Sequence, residues 1–168
     1  MFSKEEILQK GQYFAEDEDT LISIFRIKLF VSIFNKEVNI EAYNLSELNT
    51  SSTQFDLLVK ITNEVYEYDS KNLNWIKDKV WEHFNAYMEN TNYGFIEYGN
   101  HKDDEKANRD YFNINDKHEA FKKANLELIH FDLNQTDYTH FNLSFNCPWE
   151  EEHGISICVI NGKFEYMD

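Results

Sequence analysis

Residues 138–167, YTHFNLSFNCPWEEEHGISICVINGKFEYM, carry the clearest strand pattern in the chain. Apolar residues stand at every second position of the first part, 138–147, which predicts a strand with one buried face. The predicted buried positions are Phe141, Leu143, Phe145 and Cys147. Two further strands, 155–160 and 163–167, are separated by Asn161-Gly162, a pair that tolerates the positive φ angles of a type I′ turn. The stretch therefore predicts a C-terminal antiparallel meander.

Strand patterns also occur near the N-terminus and just before the meander. Residues 21–34 are apolar on both faces, and residues 38–42 alternate after the turn Asn35-Lys36-Glu37, so the two segments predict a hairpin. Residues 126–133 form another predicted strand, which is joined to the meander through a turn at 134–137. Together these segments predict an antiparallel sheet of about six strands.

Two main helices are predicted between the N-terminal hairpin and the later strands. Apolar residues recur at helical spacing through 53–66, where Thr53 and Asp56 fit a capping box. A second start signal, Asp69-Ser70, precedes a longer amphipathic pattern that runs to about Glu89. We expect both helices to pack on one face of the sheet, which makes the chain an α+β protein.

The remaining segments carry weaker signals. Residues 3–14 predict a short helix before an acidic run, so 1–19 is either an N-terminal acidic extension or a short helix. Residues 92–109 lack periodicity and predict the least ordered loop, whereas 116–125 predicts a short helix. Because no linker or repeat divides the chain, residues 1–168 are interpreted as a single α+β domain.

The chain is strongly acidic, with 31 Asp and Glu against 16 Lys and Arg and a formal net charge of −15. Proteins that bind nucleic acid through its phosphates need a basic face, so nucleic acid is excluded as a partner and an anionic membrane surface is disfavoured. A hydrophobic content of 42% is high enough for a folded core. Because opposite charges accelerate association, the charge favours a basic protein as the partner.

The cellular location is inferred from the N-terminus and the cysteines. Glu5 and Glu6 stand where a signal peptide needs a cationic start, and the apolar stretch 21–34 is interrupted by charged residues, so we expect neither export nor a membrane span. The two cysteines, Cys147 and Cys158, have neither a metal-type spacing nor that of a disulfide framework. We therefore expect a protein of the reducing cytoplasm.

One segment concentrates residues that could carry chemistry. Residues 147–154 contain the only Pro, a Trp, three Glu and a His, between two predicted strands. Two interpretations stay open: a structural connector that Trp149 anchors on the core, or an acidic, aromatic-centred loop that recognises a partner. His140 lies on the polar face of the preceding strand and would approach His153 if the loop folded back. The candidate binding residues are Trp149, Glu150, Glu151, Glu152, His153 and His140.

Catalysis is the less favoured use of this segment, and no catalytic residue is assigned. A metal-dependent hydrolase would use His153 with Glu151 or Glu152, and His140 as a further group. Consecutive Glu side chains converge only at a sharp turn, however, and the spacing matches no zinc or calcium signature, so no metal and no cofactor is expected. His83, on the second helix, is interpreted as an ordinary surface residue and not as a ligand. A structural, self-associating domain is the third alternative.

A family resemblance rests on the order of these parts and on residues 145–155, FNCPWEEEHGI. The strand pair, the two helices and this segment before a Gly hairpin resemble an uncharacterised bacterial family, the domain of unknown function 6985. Members of that family similarly end in Trp-Asp/Glu-Glu-Glu-His-Gly, then Leu or Ile and a last strand. The resemblance covers the chain from about Leu21 onward and implies no catalytic role. By analogy with acidic α+β proteins of similar ending that occur beside bacterial toxin systems, it implies an immunity-like role toward a basic toxin.

Overall fold

A mixed sheet forms the centre of the molecule in a computed structural model, which describes residues 1–15, 22–95, 102–134 and 138–167. Its seven strands in this part of the chain are β1 (Gln12–Phe14), β2 (Ile24–Val31), β3 (Lys36–Tyr43), β4 (Asn125–Asp132), β5 (His140–Cys147), β6 (Glu150–Ile160) and β7 (Lys163–Met167). They lie side by side in chain order, and every neighbouring pair is antiparallel except β3 and β4, which are parallel. The expectation of an antiparallel sheet of about six strands is therefore wrong in number and in this one pairing.

Five helices accompany the sheet in the described residues, and four of them lie in the connection between the parallel strands. They are α1 (Lys4–Lys10), α2 (Thr53–Tyr66), α3 (Ser70–Asn90), α4 (Asp104–Phe112) and α5 (Lys117–Lys123). Parallel neighbours need a long crossover because the chain must return to the same end of the sheet, and the segment from α2 to α5 supplies it. Apolar alternation predicts each hairpin but not how one hairpin lies beside another, so the parallel pair is a result of tertiary packing.

The N-terminal segment folds as a helix followed by a strand. α1 begins with a capping box, in which Ser3 Oγ accepts from the Glu6 N–H and the Glu6 carboxylate accepts from the Ser3 N–H. The helix predicted over 3–14 is wrong after Lys10, where β1 pairs with β2, because three residues are too few to show a strand period. The acidic run 16–19 lies outside the described residues.

The two predicted main helices are confirmed. α2 coincides with the predicted 53–66, and α3 follows directly on Asp69, whose side chain caps it. The N-terminus of α2 differs from the prediction in its cap. Ser52 Oγ accepts from the Phe55 N–H at 3.1 Å, so Ser52 is the N-cap and Thr53 is the first helical residue.

Helix α4 lies where the sequence pattern predicts a loop. Asp103 caps it by accepting a hydrogen bond from the Lys106 N–H at 2.8 Å. Only three of its nine residues are buried, which is too sparse for a recognisable apolar stripe. Residues 96–101 of the predicted loop, like 135–137 of the predicted turn, lie outside the described residues. The short helix predicted over 116–125 is confirmed as α5.

The core lies on one face of the sheet, where inward strand residues meet apolar side chains of the helices. Phe55 of α2 and Phe84 of α3 are fully buried in this cluster. In β5 the predicted buried set, Phe141, Leu143, Phe145 and Cys147, is confirmed. Phe30, on the opposite face, is 53% exposed, so that face is open to solvent in part. A search of the described helices finds none whose length and hydropathy suit a membrane crossing.

Candidate functional site

The acidic run of the candidate segment belongs mostly to a strand. β5 ends at Cys147, Pro148 and Trp149 form a tight turn, and Glu150 already pairs with Cys147 in the antiparallel ladder. The predicted connector 147–154 is therefore confirmed for the turn, whereas residues 150–154 belong to β6. Of the three Glu residues only Glu150 has a ladder partner, and Glu151 and Glu152 lie in an irregular part of the β5–β6 pairing.

A glycine allows the strand to begin this early. The pairing of β5 with β6 is irregular between Phe145 and Cys147, and Gly154 lies across from this irregularity with a φ of +69°. A Cβ at Gly154 would lie 2.2 Å from the Phe145 carbonyl oxygen, so only glycine fits there. At the other end of β6 the predicted Asn161-Gly162 turn is confirmed, with φ angles of 49° and 72°.

Trp149 is packed in the core beneath this turn. Only 1% of it is exposed, and its ring lies edge-on to Phe84 at 5.2 Å between centroids. Its indole Nε1–H donates to His83 Nδ1 at 3.0 Å, and its carbonyl oxygen accepts from the Tyr93 hydroxyl. The predicted anchoring of Trp149 on the core is therefore confirmed, and the indole ring of this candidate binding residue is buried beneath the turn.

His83 is the residue that the sequence interpretation misjudged. It is 7% exposed, its ring stacks on Tyr87 at 4.5 Å, and burial lowers its pKa to about 4 although the nearby Glu150 acts in the opposite direction. The interpretation as a surface residue is therefore wrong. The sequence does contain a signal for this burial, because His83 follows Val80 by three residues and so lies on the apolar stripe of α3.

Glu150 is held by hydrogen bonds at the start of β6. Its Oε1 accepts from the His153 backbone N–H at 3.1 Å, and the Tyr87 hydroxyl donates to the same side chain. The hydrogen bond from Tyr87 is the main cause that lowers the pKa of Glu150, and it also raises the pKa of Tyr87 to about 12. Glu150 is therefore an ionised, oriented carboxylate at neutral pH.

These residues form one wall of a cleft of about 370 Å³, called here the aromatic–acidic cleft. Its lining combines aromatic rings with three carboxylates: Tyr87, Thr91, Tyr93, Phe95, Tyr111, Phe112, Pro148, Trp149, Glu150, Glu151 and Glu152. Three of the rings are stacked in sequence, with centroids 5.4 Å apart for Tyr93 and Phe95 and 3.8 Å apart for Phe95 and Tyr111. The outermost ring, Tyr111, is 64% exposed.

The remaining acidic residues lie at the rim of the cleft. Glu151 and Glu152 are exposed, as is the side chain of His153, whose ring nitrogen lies 3.3 Å from Glu150. Lys and Arg are absent from the described residues that line the cleft. Aromatic rings beside carboxylates form a surface that attracts a cation. The cleft is thus chemically suited to an ammonium or guanidinium group.

His140 does not belong to this site. It pairs with Ile160, at the far end of β6 from His153, a separation of about 20 Å at the usual rise of about 3.3 Å per residue. Its Nε2 lies 3.2 Å from the Cys158 thiol instead. The expectation that His140 approaches His153 is therefore wrong.

In the part of the chain that the structure describes, no group of three or more His, Cys, Asp or Glu is arranged to hold a metal ion.

Fold and site together define an α+β protein with a seven-stranded mixed sheet in its described residues and an aromatic–acidic cleft beside one strand turn. The family model described as domain of unknown function (DUF6985) matches residues 5–168, and the chain belongs to that family. The resemblance noted in the sequence is thereby confirmed. Neither a curated protein nor a solved structure matches the chain.

Proposed function

We propose that the chain is a non-catalytic binding module whose aromatic–acidic cleft receives a lysine or arginine side chain of a basic protein. The observation that carries this proposal is the lining of the cleft, where aromatic rings stand beside three carboxylates. A cation over a ring face is attracted by the ring quadrupole, and the carboxylates at the rim add Coulomb attraction. A cationic side chain matches both features at once.

The net charge supports the same class of partner. With a formal charge of −15, the chain attracts a basic protein before the two surfaces touch, within a Debye length of about 8 Å in physiological salt. Such steering raises the association rate and weakens as salt is added. A basic toxin belongs to this class of partner, and an immunity-like role toward one is the specific form of the proposal. Both cysteines are buried thiols, which suits the reducing cytoplasm in which we place the encounter.

The ionisable groups beside the cleft support binding more than proton transfer. Burial lowers the pKa of His83 to about 4 and raises that of Cys147 to about 12, while the hydrogen bond to Glu150 raises the pKa of Tyr87 to about 12. Each group therefore keeps one protonation state near neutral pH. General acid–base catalysis works best with a pKa close to the working pH. The arrangement thus favours recognition over chemistry.

The test is capture of a partner from the native cell, followed by titration calorimetry with the purified partner. We expect a stoichiometric protein of high isoelectric point. The double variant Glu151→Gln/Glu152→Gln should bind it about threefold to tenfold more weakly in low salt, because two rim charges are removed. Tyr111→Ala should weaken binding about tenfold, since it removes an exposed ring from the cleft.

A matched control has the same change in net charge away from the cleft. Glu47→Gln/Glu165→Gln alters two exposed carboxylates and should leave the affinity within about twofold of the parent. Equal weakening by both double variants would mean that net charge alone acts, and the proposed cleft would be rejected. Capture of no stoichiometric partner, or of an acidic one, would contradict the binding function itself.

A further inference from the structure

A second cavity, of about 410 Å³, lies at the other end of β6. Glu64 of α2 and Tyr68, just beyond that helix, form its helical side, while Thr139 and the turn residue Gly162 come from the sheet. Glu64 and Tyr68 both line this cavity, although Tyr68 lies two residues beyond the end of the helix. None of these residues belongs to the aromatic–acidic cleft, and the cavity is therefore a separate feature.

Two buried oxygens at this cavity lack hydrogen-bond partners in the structure. They are Oε1 of Glu64 and the hydroxyl oxygen of Tyr68, a residue that is only 5% exposed. The Glu64 carboxylate also has a hydrogen bond with the Thr139 side chain, so Oε1 is the part of it left without a partner. Buried polar atoms in folded proteins are nearly always hydrogen-bonded, so a bound water, ion or ligand is expected beside one that the protein leaves unpaired. Because both oxygens belong to residues that line one cavity, a single bound group can serve both.

The chemistry of the lining selects the class of that group. An anion is disfavoured because the cavity is lined by two carboxylates, those of Glu64 and Glu67, against one ammonium, that of Lys60. A metal ion needs several oxygen ligands, yet the Asn161 Oδ1 that lines the cavity already accepts from the Thr139 N–H. A group rich in N–H donors and carrying a positive charge fits the two unpartnered oxygens and the carboxylate charge.

We propose that this cavity binds the ammonium group of a small organic amine, whose N–H groups donate to Glu64 Oε1 and to the Tyr68 hydroxyl oxygen. The cavity is large enough for a short alkyl chain in addition to the ammonium group. Lys60, which also lines the cavity, is exposed. Burial raises the pKa of Glu64, while the hydrogen bond with Thr139 and the charge of Lys60 act in the opposite direction. A bound cation would act in the same direction as Lys60 and help to keep the carboxylate ionised.

The experiment is an NMR titration of the isotope-labelled full chain with n-butylammonium chloride, and with n-butanol as the neutral probe of similar shape. We expect saturable shifts of the Thr139 and Gly162 amide signals with butylammonium and none with butanol. Glu64→Gln should weaken butylammonium binding about tenfold or more, because the hydrogen bond to a charged acceptor is lost. Tyr68→Phe should weaken it about threefold to tenfold, since one neutral acceptor is lost.

Glu47→Gln is the matched control, since it removes an exposed carboxylate outside the lining of this cavity and should leave the affinity within about twofold of the parent. The amide spectrum of each variant shows whether it is folded, and Tyr68→Phe carries the test if Glu64→Gln is not. An absence of saturable shifts would overturn the proposal. Equal shifts with butanol would also overturn the proposal, as would an unchanged affinity in both the Glu64 and the Tyr68 variant. Either result would indicate a cavity that is filled by water.

Discussion

The two ends of strand β6 present opposite chemistry. At the Glu150 end, the polar atoms bond to one another, as in the pairs Trp149–His83 and Tyr87–Glu150, and aromatic rings line the cleft. At the Ile160 end, buried oxygens remain without hydrogen-bond partners among the described residues around a more polar cavity. The difference shows that the two surfaces offer different groups to a ligand: aromatic rings at one end and unpaired hydrogen-bond acceptors at the other.

The turns at the two ends explain this contrast. The first turn contains Trp149, whose large ring enters the core and whose N–H requires a buried acceptor, which His83 provides. The second turn, Asn161-Gly162, has no large side chain to insert. A Cβ at Gly162 would lie 3.6 Å from Glu64 Oε1, an ordinary van der Waals contact, so this turn approaches the helix without a clash.

The largest expected effect concerns Trp149. Trp149→Ala should lower the free energy of unfolding by about 3–5 kcal/mol, because it removes a fully buried ring and leaves His83 Nδ1 without a donor. Urea unfolding measures this change. The matching change at the other end, Tyr68→Phe, removes a hydroxyl without a partner and should cost less than about 1 kcal/mol. Similar losses for both variants would contradict the distinction between a paired and an unpaired end.

The second prediction concerns the pH dependence of stability and His83. The unfolded chain protonates this imidazole near its ordinary pKa of 6.5, whereas the folded chain does so only near 4. Between these values the unfolded state binds more protons, so stability is fully present above about pH 6.5 and falls as the pH is lowered toward 4. At pH 4 the free energy of unfolding is therefore lower than at neutral pH by about 3 kcal/mol on account of His83, at 1.36 kcal/mol per pKa unit.

Urea unfolding of the parent and of His83→Gln at several pH values checks this dependence. The variant should lack the part of the slope that His83 contributes, even if its stability at neutral pH is lower. His118→Gln, at an exposed position on α5, is the control and should keep the slope of the parent. Identical slopes for the parent and His83→Gln would show that the buried imidazole does not titrate as described.

The smallest effects distinguish the two glycines at the ends of β6. Both have positive φ, +69° at Gly154 and +72° at Gly162, so alanine is strained at each. Gly154→Ala also places its Cβ 2.2 Å from a backbone oxygen and should cost about 2 kcal/mol or more, whereas Gly162→Ala should cost about 1 kcal/mol. Thermal unfolding ranks the two variants. A larger loss at Gly162 would mean that the hairpin turn is the tighter end.

Most of the fold is predictable from apolar spacing. α2, α3, α5 and the strands of the C-terminal meander follow from periods that persist over a whole element. β1 and α4 are not predictable in this way, because β1 has only three residues and α4 has too few buried residues to show an apolar stripe. The parallel contact between β3 and β4 is also not predictable, since it depends on how the crossover helices return the chain to the sheet.

The candidate site was predicted only along one side. The run from Glu150 to Glu152 does line the cleft, but the rings opposite it come from α3, α4 and the segment between them. Of these, Tyr93 and Phe95 belong to a stretch without periodicity, so no local pattern pointed to them. His140, predicted to approach the run, lies at the far end of β6 because strand register fixes its neighbour as Ile160.

Local periods, local φ preferences and composition are enough to predict the class of fold, the Asn161-Gly162 turn and the acidity. The folded molecule was needed to find the parallel strand pair, the burial of Trp149 against His83, and the two cavities at the ends of β6. Each of these depends on residues far apart in the chain. Contacts of this kind arise from packing and hydrogen-bond satisfaction across the core, which no local pattern records.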